Sequence, residues 1–388
     1  MMRITPITHR LLGAGMLALV AGCSTLSSLN PFAAKNKLNL PAPLVELKGS
    51  MAVRTAWKID MGKANGHLFT PAVVGNTVVL AGADGSLARV ESASGRALWR
   101  IKAPSSLSAG VGSDGEMIVV GGAKGVVMSF DMNGKLLWTA QASSEVLSSP
   151  VVGDGIVVVR SVDNRVVGLD AKTGVKKWTV QRVAPPLLLR TAPGMLVVGK
   201  EVVIAQPGGK LMALTLATGA PRWEVAVGEA RGATELERVT DIGGNPILYG
   251  TDVCAVSYQG RVGCFDVATG TPKWTKELSS DVGVSVDERF VFAADDKGAV
   301  SAFARDTGAS AWKNDKLGFR RLSTPISYGR AVAVGDYQGF VHFLSREDGA
   351  FLARAATDGS AITSPPVVAG THLIFQTQSG TVTAIAVE

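Results

Sequence analysis

The 388-residue chain has few of the residues that usually carry chemistry: four histidines and three cysteines. The histidines beyond the N-terminal leader, His67, His342 and His372, do not stand at metal-ligand spacing from one another. HExxH, a paired-cysteine knuckle and a calcium-loop pattern are all missing, and no GxSxG forms a strand-to-helix elbow. Glycine-rich stretches fall in hairpin turns with no helix behind them to cradle a phosphate. Charged residues make up 18% of the chain, and their formal excess of +7 is spread out without a basic-aromatic strip, so nucleic acid is not an implied partner. The apolar run LLGAGMLALVAG is too short to span a bilayer. These absences argue against catalysis, a metal and a cofactor.

What the chain does have is rhythm. Trp57, Trp99, Trp138, Trp178, Trp223, Trp274 and Trp312 recur at gaps of 38 to 51 residues. Five segments share one register: Gly85 to Trp99, Asn164 to Trp178, Gly209 to Trp223, Gly260 to Trp274 and Gly298 to Trp312; Gly125 to Trp138 is one residue shorter. Each reads as turn, period-2 strand, second tight turn ending in glycine, then a strand bearing the tryptophan. A further strand pair precedes each hairpin, as in TPAVVGNTVVLAGADG and SPVVGDGIVVVRSVDN. Four short antiparallel strands per period of about 40 residues is the pattern of a β-propeller blade, which cannot bury both faces alone.

Opening turns near positions 85, 125, 164, 209, 260, 298, 339 and 380 predict an all-β, eight-bladed propeller; seven blades, with one unit outside the ring, is the competing count. The last unit ends at Glu388 before any tryptophan strand, while Trp57 has no hairpin in front of it. Segment 53–59 is therefore expected to be the outer strand of the last blade, closing the ring by pairing the N-terminal strand with C-terminal strands. The tryptophans then read as packing between blades. Asp170 and Asp266, which recur before turns, read as turn caps rather than acid-base groups.

Before the repeats, Arg3 and Arg10, an apolar stretch and Val20-Ala21-Gly22-Cys23 form an export leader whose end resembles the bacterial lipobox. That resemblance implies removal of residues 1–22, lipidation of Cys23 and, with Ser24 next, an outer-membrane destination. Residues 23–48 then read as the lipidated N-terminus and tether, and 49–388 as the propeller. Cys254 and Cys264 flank the turn at Gln259-Gly260, where either a cross-strand disulfide or two buried thiols fits.

Two stretches break the repeat. In residues 184–195, Pro185-Pro186 opposes regular pairing and leaves Leu187, Leu188, Leu189 and Arg190 in a connection, as an apolar anchor beside a bidentate donor or, alternatively, as an unusual innermost strand. Residues 228–247 lengthen the interval between Trp223 and Trp274; there Glu229, Glu235, Glu237 and Asp241 alternate with Arg231 and Arg238, and Leu236 and Val239 fit one side of a short helical turn. Insertions in a repeat array become loops on one face, and these two form a candidate docking face.

The lipobox, the eight quinoprotein-type repeats and the stretches PPLLLR and RGATELERVTDIGGNP together resemble the BamB (YfgL) family over essentially the whole chain. That resemblance implies a non-enzymatic lipoprotein of the outer-membrane β-barrel assembly machinery, lipid-anchored at the periplasmic face. Its implied partners are the periplasmic domains of the barrel-forming subunit and the complex's other lipoproteins. It assigns partner binding to Leu187, Leu189, Arg190 and Asp241, and Gly243 departs from the family by standing where a second aspartate is often found. Arg190 is expected to pair either with a carboxylate of the partner or internally with Asp241. Two other functions remain: direct capture of unfolded outer-membrane proteins, and a quinone-dependent dehydrogenase, which needs a calcium-binding acidic cluster and a stacking aromatic on the axis.

Overall fold

A computed structural model describes residues 39–47, 49–183 and 185–387. The chain divides into two units, Met1–Leu40 and Pro41–Glu388. The leader and Cys23 lie outside the described residues, and the fold is that of the second unit.

Eight four-stranded antiparallel sheets form the blades. Blades 1 to 7 span residues 72–102, 112–141, 151–181, 195–226, 242–277, 284–314 and 326–356. Blade 8 combines residues 367–387 with the N-terminal strand Val53–Asp60, which pairs antiparallel with Thr381–Val387 from Val53 opposite Val387 to Asp60 opposite Thr381. The clasp expected at 53–59 is therefore present, and the ring has eight blades.

Sequence pattern sets each strand's depth. The second strands, such as Thr77–Ala81 and Ala331–Gly335, are apolar on both faces and buried throughout. Outer strands alternate: in Lys176–Gln181 only Trp178 is buried. In every blade the outer strand carries a bulge just before the tryptophan position, as between Gly168 and Leu169 opposite Trp178 and Lys176. The extra residue re-aims the next side chain, here towards the neighbouring blade.

Eight apolar clusters fill the ring, one at each junction between blades. At seven of them a tryptophan indole donates to a carbonyl of the next blade, at 2.5 to 2.9 Å: Trp57 to Ser92, Trp99 to Met132, Trp138 to Ala171, Trp178 to Leu216, Trp223 to Val267, Trp274 to Arg305 and Trp312 to Arg346. The ring lies against the glycine of the receiving turn. At Gly219, for example, φ is +71° and an added Cβ would sit 2.7 Å from Trp178. This contact is why glycine recurs four residues before six of the tryptophans and before Ala353.

The junction of blades 7 and 8 has Ala353 in place of tryptophan, and Met51 packs there with Ala353 and Phe343. Residues 41–47, the last part of the stretch read as tether, run along blade 7. Ala42 N–H donates to Gly318 O at 2.8 Å, and its own carbonyl accepts from Arg320 at 2.9 Å. The Val45 carbonyl accepts from Arg354 at 3.2 Å. Beneath this strap, Arg320, Asp336 and His342 form a buried group. Arg320 Nε and Nη2 reach Asp336 Oδ2 at 2.7 and 2.6 Å, and His342 Nε2 reaches the same oxygen at 2.8 Å. In blade 5, Cys254 and Cys264 stand directly opposite in register, buried, and are joined in a disulfide.

Candidate docking site

The two irregular stretches meet. The first connects the outer strand of blade 3, Lys176–Gln181, to the inner strand of blade 4, Met195–Val198; the second leads into the inner strand of blade 5, Ile242–Tyr249. Leu187, Leu188 and Leu189 belong to no strand. The prolines before them cannot donate to a ladder, and the segment crosses between blades as a loop. Leu187 and Leu188 are 43% and 37% exposed, Leu189 is half-buried and Arg190 is exposed.

Asp241 joins the stretches. Only 6% exposed, its carboxylate accepts the Leu189 N–H at 2.7 Å and the Gly208 N–H at 3.0 Å. A carboxylate taking two backbone donors in a buried position makes strong charge-assisted bonds, and these fix the leucine loop to the turn of blade 4. Of the two pairings the sequence leaves open for Arg190, the internal one with Asp241 does not form. Arg190 Nη2 pairs with Glu145 Oε2 at 2.6 Å instead, in the connection between blades 2 and 3, because Asp241 is committed to backbone donors. The Arg190 side chain remains 69% exposed, so this pair contributes little to stability.

The second stretch makes its helical turn at Glu235–Arg238. Thr234 Oγ1 accepts the Glu237 N–H at 3.3 Å, and Glu237 returns a bond to the Thr234 N–H at 3.1 Å, a reciprocal cap across T-x-x-E. These bonds hold the Glu237 carboxyl below its ordinary range, the backbone N–H of Thr234 being the largest cause. Leu236 and Val239 were expected on one side of the turn, but Leu236 is 73% exposed and Val239 is buried. The turn ends at Arg238, and the next residue folds inward towards Asp241.

At Gly243 a Cβ would lie 2.7 Å from backbone atoms of Ser280 and Asp281. The close approach of the blade 5–6 connection excludes a side chain there. Burial pushes the carboxyl of Asp281 up. Asp281 also lines, with Asp296, Arg321, Arg190 and Thr191, a cavity of about 740 Å³.

Sequence reading missed two residues of this region. Glu145 lies one blade connection upstream of Arg190 and carries no motif. Arg160, at the end of strand Ile156–Arg160, is 8% exposed and faces Asp241 across the inner wall of the loop, its pKa lowered to about 10 by burial against the opposing effect of Asp241.

This arrangement, with a regular ring carrying two loops pinned by one aspartate, can be compared with known proteins. A family model described as "Outer membrane protein assembly factor BamB" matches residues 83–314. The chain is 45% identical over 368 residues to that assembly factor from Burkholderia pseudomallei, covering 95% of this chain and 94% of the relative. The chain belongs to the BamB family. The Bordetella pertussis BamB is also 45% identical, over 96% of this chain and 95% of its own. Among solved structures, BamB from Moraxella catarrhalis superposes with a TM-score of 0.79 at 28% identity, covering 86% of this chain and all of that one.

Proposed function

We propose that the chain is a non-enzymatic scaffold of outer-membrane protein assembly, held at the periplasmic face of the outer membrane by lipid on Cys23. It docks on the periplasmic region of the barrel-forming subunit and contacts the complex's other lipoproteins. Family membership supports the assembly role, and the lipobox supports the anchor. The observation that carries the docking reading is the carboxylate of Asp241, which spends both oxygens on backbone donors and, through the Leu189 N–H, fixes the loop that presents Leu187 and Leu188 outward beside Arg190. Exposed apolar anchors next to a forked cation, on a preordered loop, are what concentrates binding energy in a small patch. The ring supplies rigidity, and neither a metal nor a cofactor is required for this role.

The test is affinity capture from detergent-solubilised envelopes, comparing the wild type with Arg190→Ala and Leu187→Ser. Loss of the barrel-forming subunit with both variants, and no loss of fold, is the expected result. Undiminished capture by both would reject the docking reading, and capture of client chains without that subunit would favour direct binding of unfolded outer-membrane proteins.

A further inference from the structure

Behind the leucine loop lies a cavity of about 170 Å³, lined on its outer side by Leu188, Leu189 and Arg190 and on its inner side by Arg160, Gln206 and Asp241. That volume exceeds the roughly 30 Å³ share of one water several-fold. Its inner wall is polar and buried: Arg160 is 8% and Gln206 4% exposed. Arg160 Nε and both amide atoms of Gln206 have no hydrogen-bond partner among the described residues. Among the described residues its guanidinium makes a single bond, a long one, from Nη2 to Asn164 Oδ1 at 3.2 Å.

The repeat makes this arginine conspicuous. Paired register places Arg160 in the same position as Ala81, Gly121, Ala205, Val256, Ala294, Gly335 and Gln376 in the other blades. Six of these seven are small or apolar, and Gln376 donates its amide to the Ala81 carbonyl at 2.9 Å. A cation at this position is therefore not required by the fold. It is also costly, since a buried guanidinium loses hydration that Asp241 only partly replaces while its oxygens are engaged by Leu189 and Gly208. Unmade bonds on a dry cation are unusual in native interiors and ask for a cause.

We propose that this cavity is a receptor for a carboxylate side chain of the protein that docks on the leucine loop, with Arg160 Nε and the Gln206 amide as its donors. The inference rests on the docking reading above and adds a second contact to it, behind the exposed leucines rather than among them. A carboxylate fits because it brings the negative charge and the acceptors that Arg160 and the Gln206 amide NH₂ lack. An aspartate or glutamate side chain also fits the volume, and it reaches the cavity past Leu188 and Arg190. Arg190, held by Glu145 at the outer side, adds a second cation near the path of entry.

The test measures binding of the mature full-length chain to the purified periplasmic region of the barrel-forming subunit, for wild type, Arg160→Met, Arg160→Lys, Gln206→Leu and Arg190→Ala. Methionine at 160 is expected to weaken binding about tenfold or more, with lysine intermediate because it keeps the charge and loses the fork. In a double-mutant cycle, one acidic residue of the partner is expected to couple to Arg160 and not to a remote surface arginine such as Arg96. Binding by Arg160→Met and Gln206→Leu within twofold of wild type, while Arg190→Ala is impaired, would overturn the pocket and leave the docking reading intact; the cavity would then hold solvent only. Wild-type binding by all the variants would overturn both. Gln206→Leu, which removes an amide with no partner, keeps the test decisive if Arg160→Met does not fold.

Discussion

Two buried arginines, Arg320 under the N-terminal strap and Arg160 under the leucine loop, make an instructive pair. Arg320 is 2% exposed and each nitrogen of its guanidinium is bonded, to Asp336, to Gln338 Oε1 at 2.5 Å and to the Ala42 carbonyl. Arg160 is almost as buried, yet holds one long bond and an unpartnered Nε. Both charges sit in a similarly dry setting. In the first place every guanidinium nitrogen is bonded to the chain's own groups, so the charge organises structure; in the second Nε stays open beside a cavity, so the charge is available to another molecule.

The contrast can be broken most directly at its strongest point. Asp336→Ala leaves Arg320 and His342 without their shared carboxylate in a dry site and is expected to cost about 3–5 kcal/mol of stability, whereas Arg160→Met is expected to change stability by about 1 kcal/mol or less in either direction. Denaturant unfolding of the two variants checks this, and equal losses would remove the distinction. Next, Asp241→Asn is expected to cost roughly 1.5–3 kcal/mol by weakening two charged hydrogen bonds, and to loosen the leucine loop, which amide exchange at Leu189 would report.

A pH series sharpens the closed site. Burial, aided by the cations Arg354 and Arg320 and opposed by Asp336, holds His342 below its ordinary value of 6.5. Its Nδ1 accepts from Arg354 Nε at 3.2 Å while Nε2 donates to Asp336, so the ring is neutral in the fold. The unfolded chain therefore takes up the proton first, and stability present above pH 6.5 is lost as pH falls below it. The wild-type melting temperature should drop between pH 7.5 and 5.5, and His342→Gln should flatten that slope. The smallest stability effect belongs to Arg190→Ala, expected within about 0.5 kcal/mol of wild type because its ion pair is exposed, though partner capture falls.

Much of the ring was legible because the tryptophans report their own spacing, and a tryptophan without a hairpin, Trp57, had to belong to a blade begun elsewhere. The two loops were legible as interruptions of the same rhythm. Less legible were contacts that depend on backbone: the strap at 41–47 is held through carbonyls of Ala42 and Val45, which every residue possesses. The partner of Arg190 was missed because Glu145 lies in a different connection, and chain distance says nothing about which loops converge at the axis. Arg160 did leave a signal, a charge where the other blades have alanine, glycine, valine or an uncharged glutamine, but it appears only when the blades are aligned on the strand before each opening turn.

The clasp has a consequence for the order of events in the chain's life. Val53–Asp60 is made before the other strands of the propeller, yet its ladder partner, Thr381–Val387, is made only after all the strands of blades 1 to 7. From the moment the early strand is made until that partner follows, it must wait with one edge bare, and Trp57 waits with it for a settled seat on blade 1. No prefix that stops short of Thr381–Val387 is a smaller working copy of the whole; the wheel becomes one object only when that strand has been made.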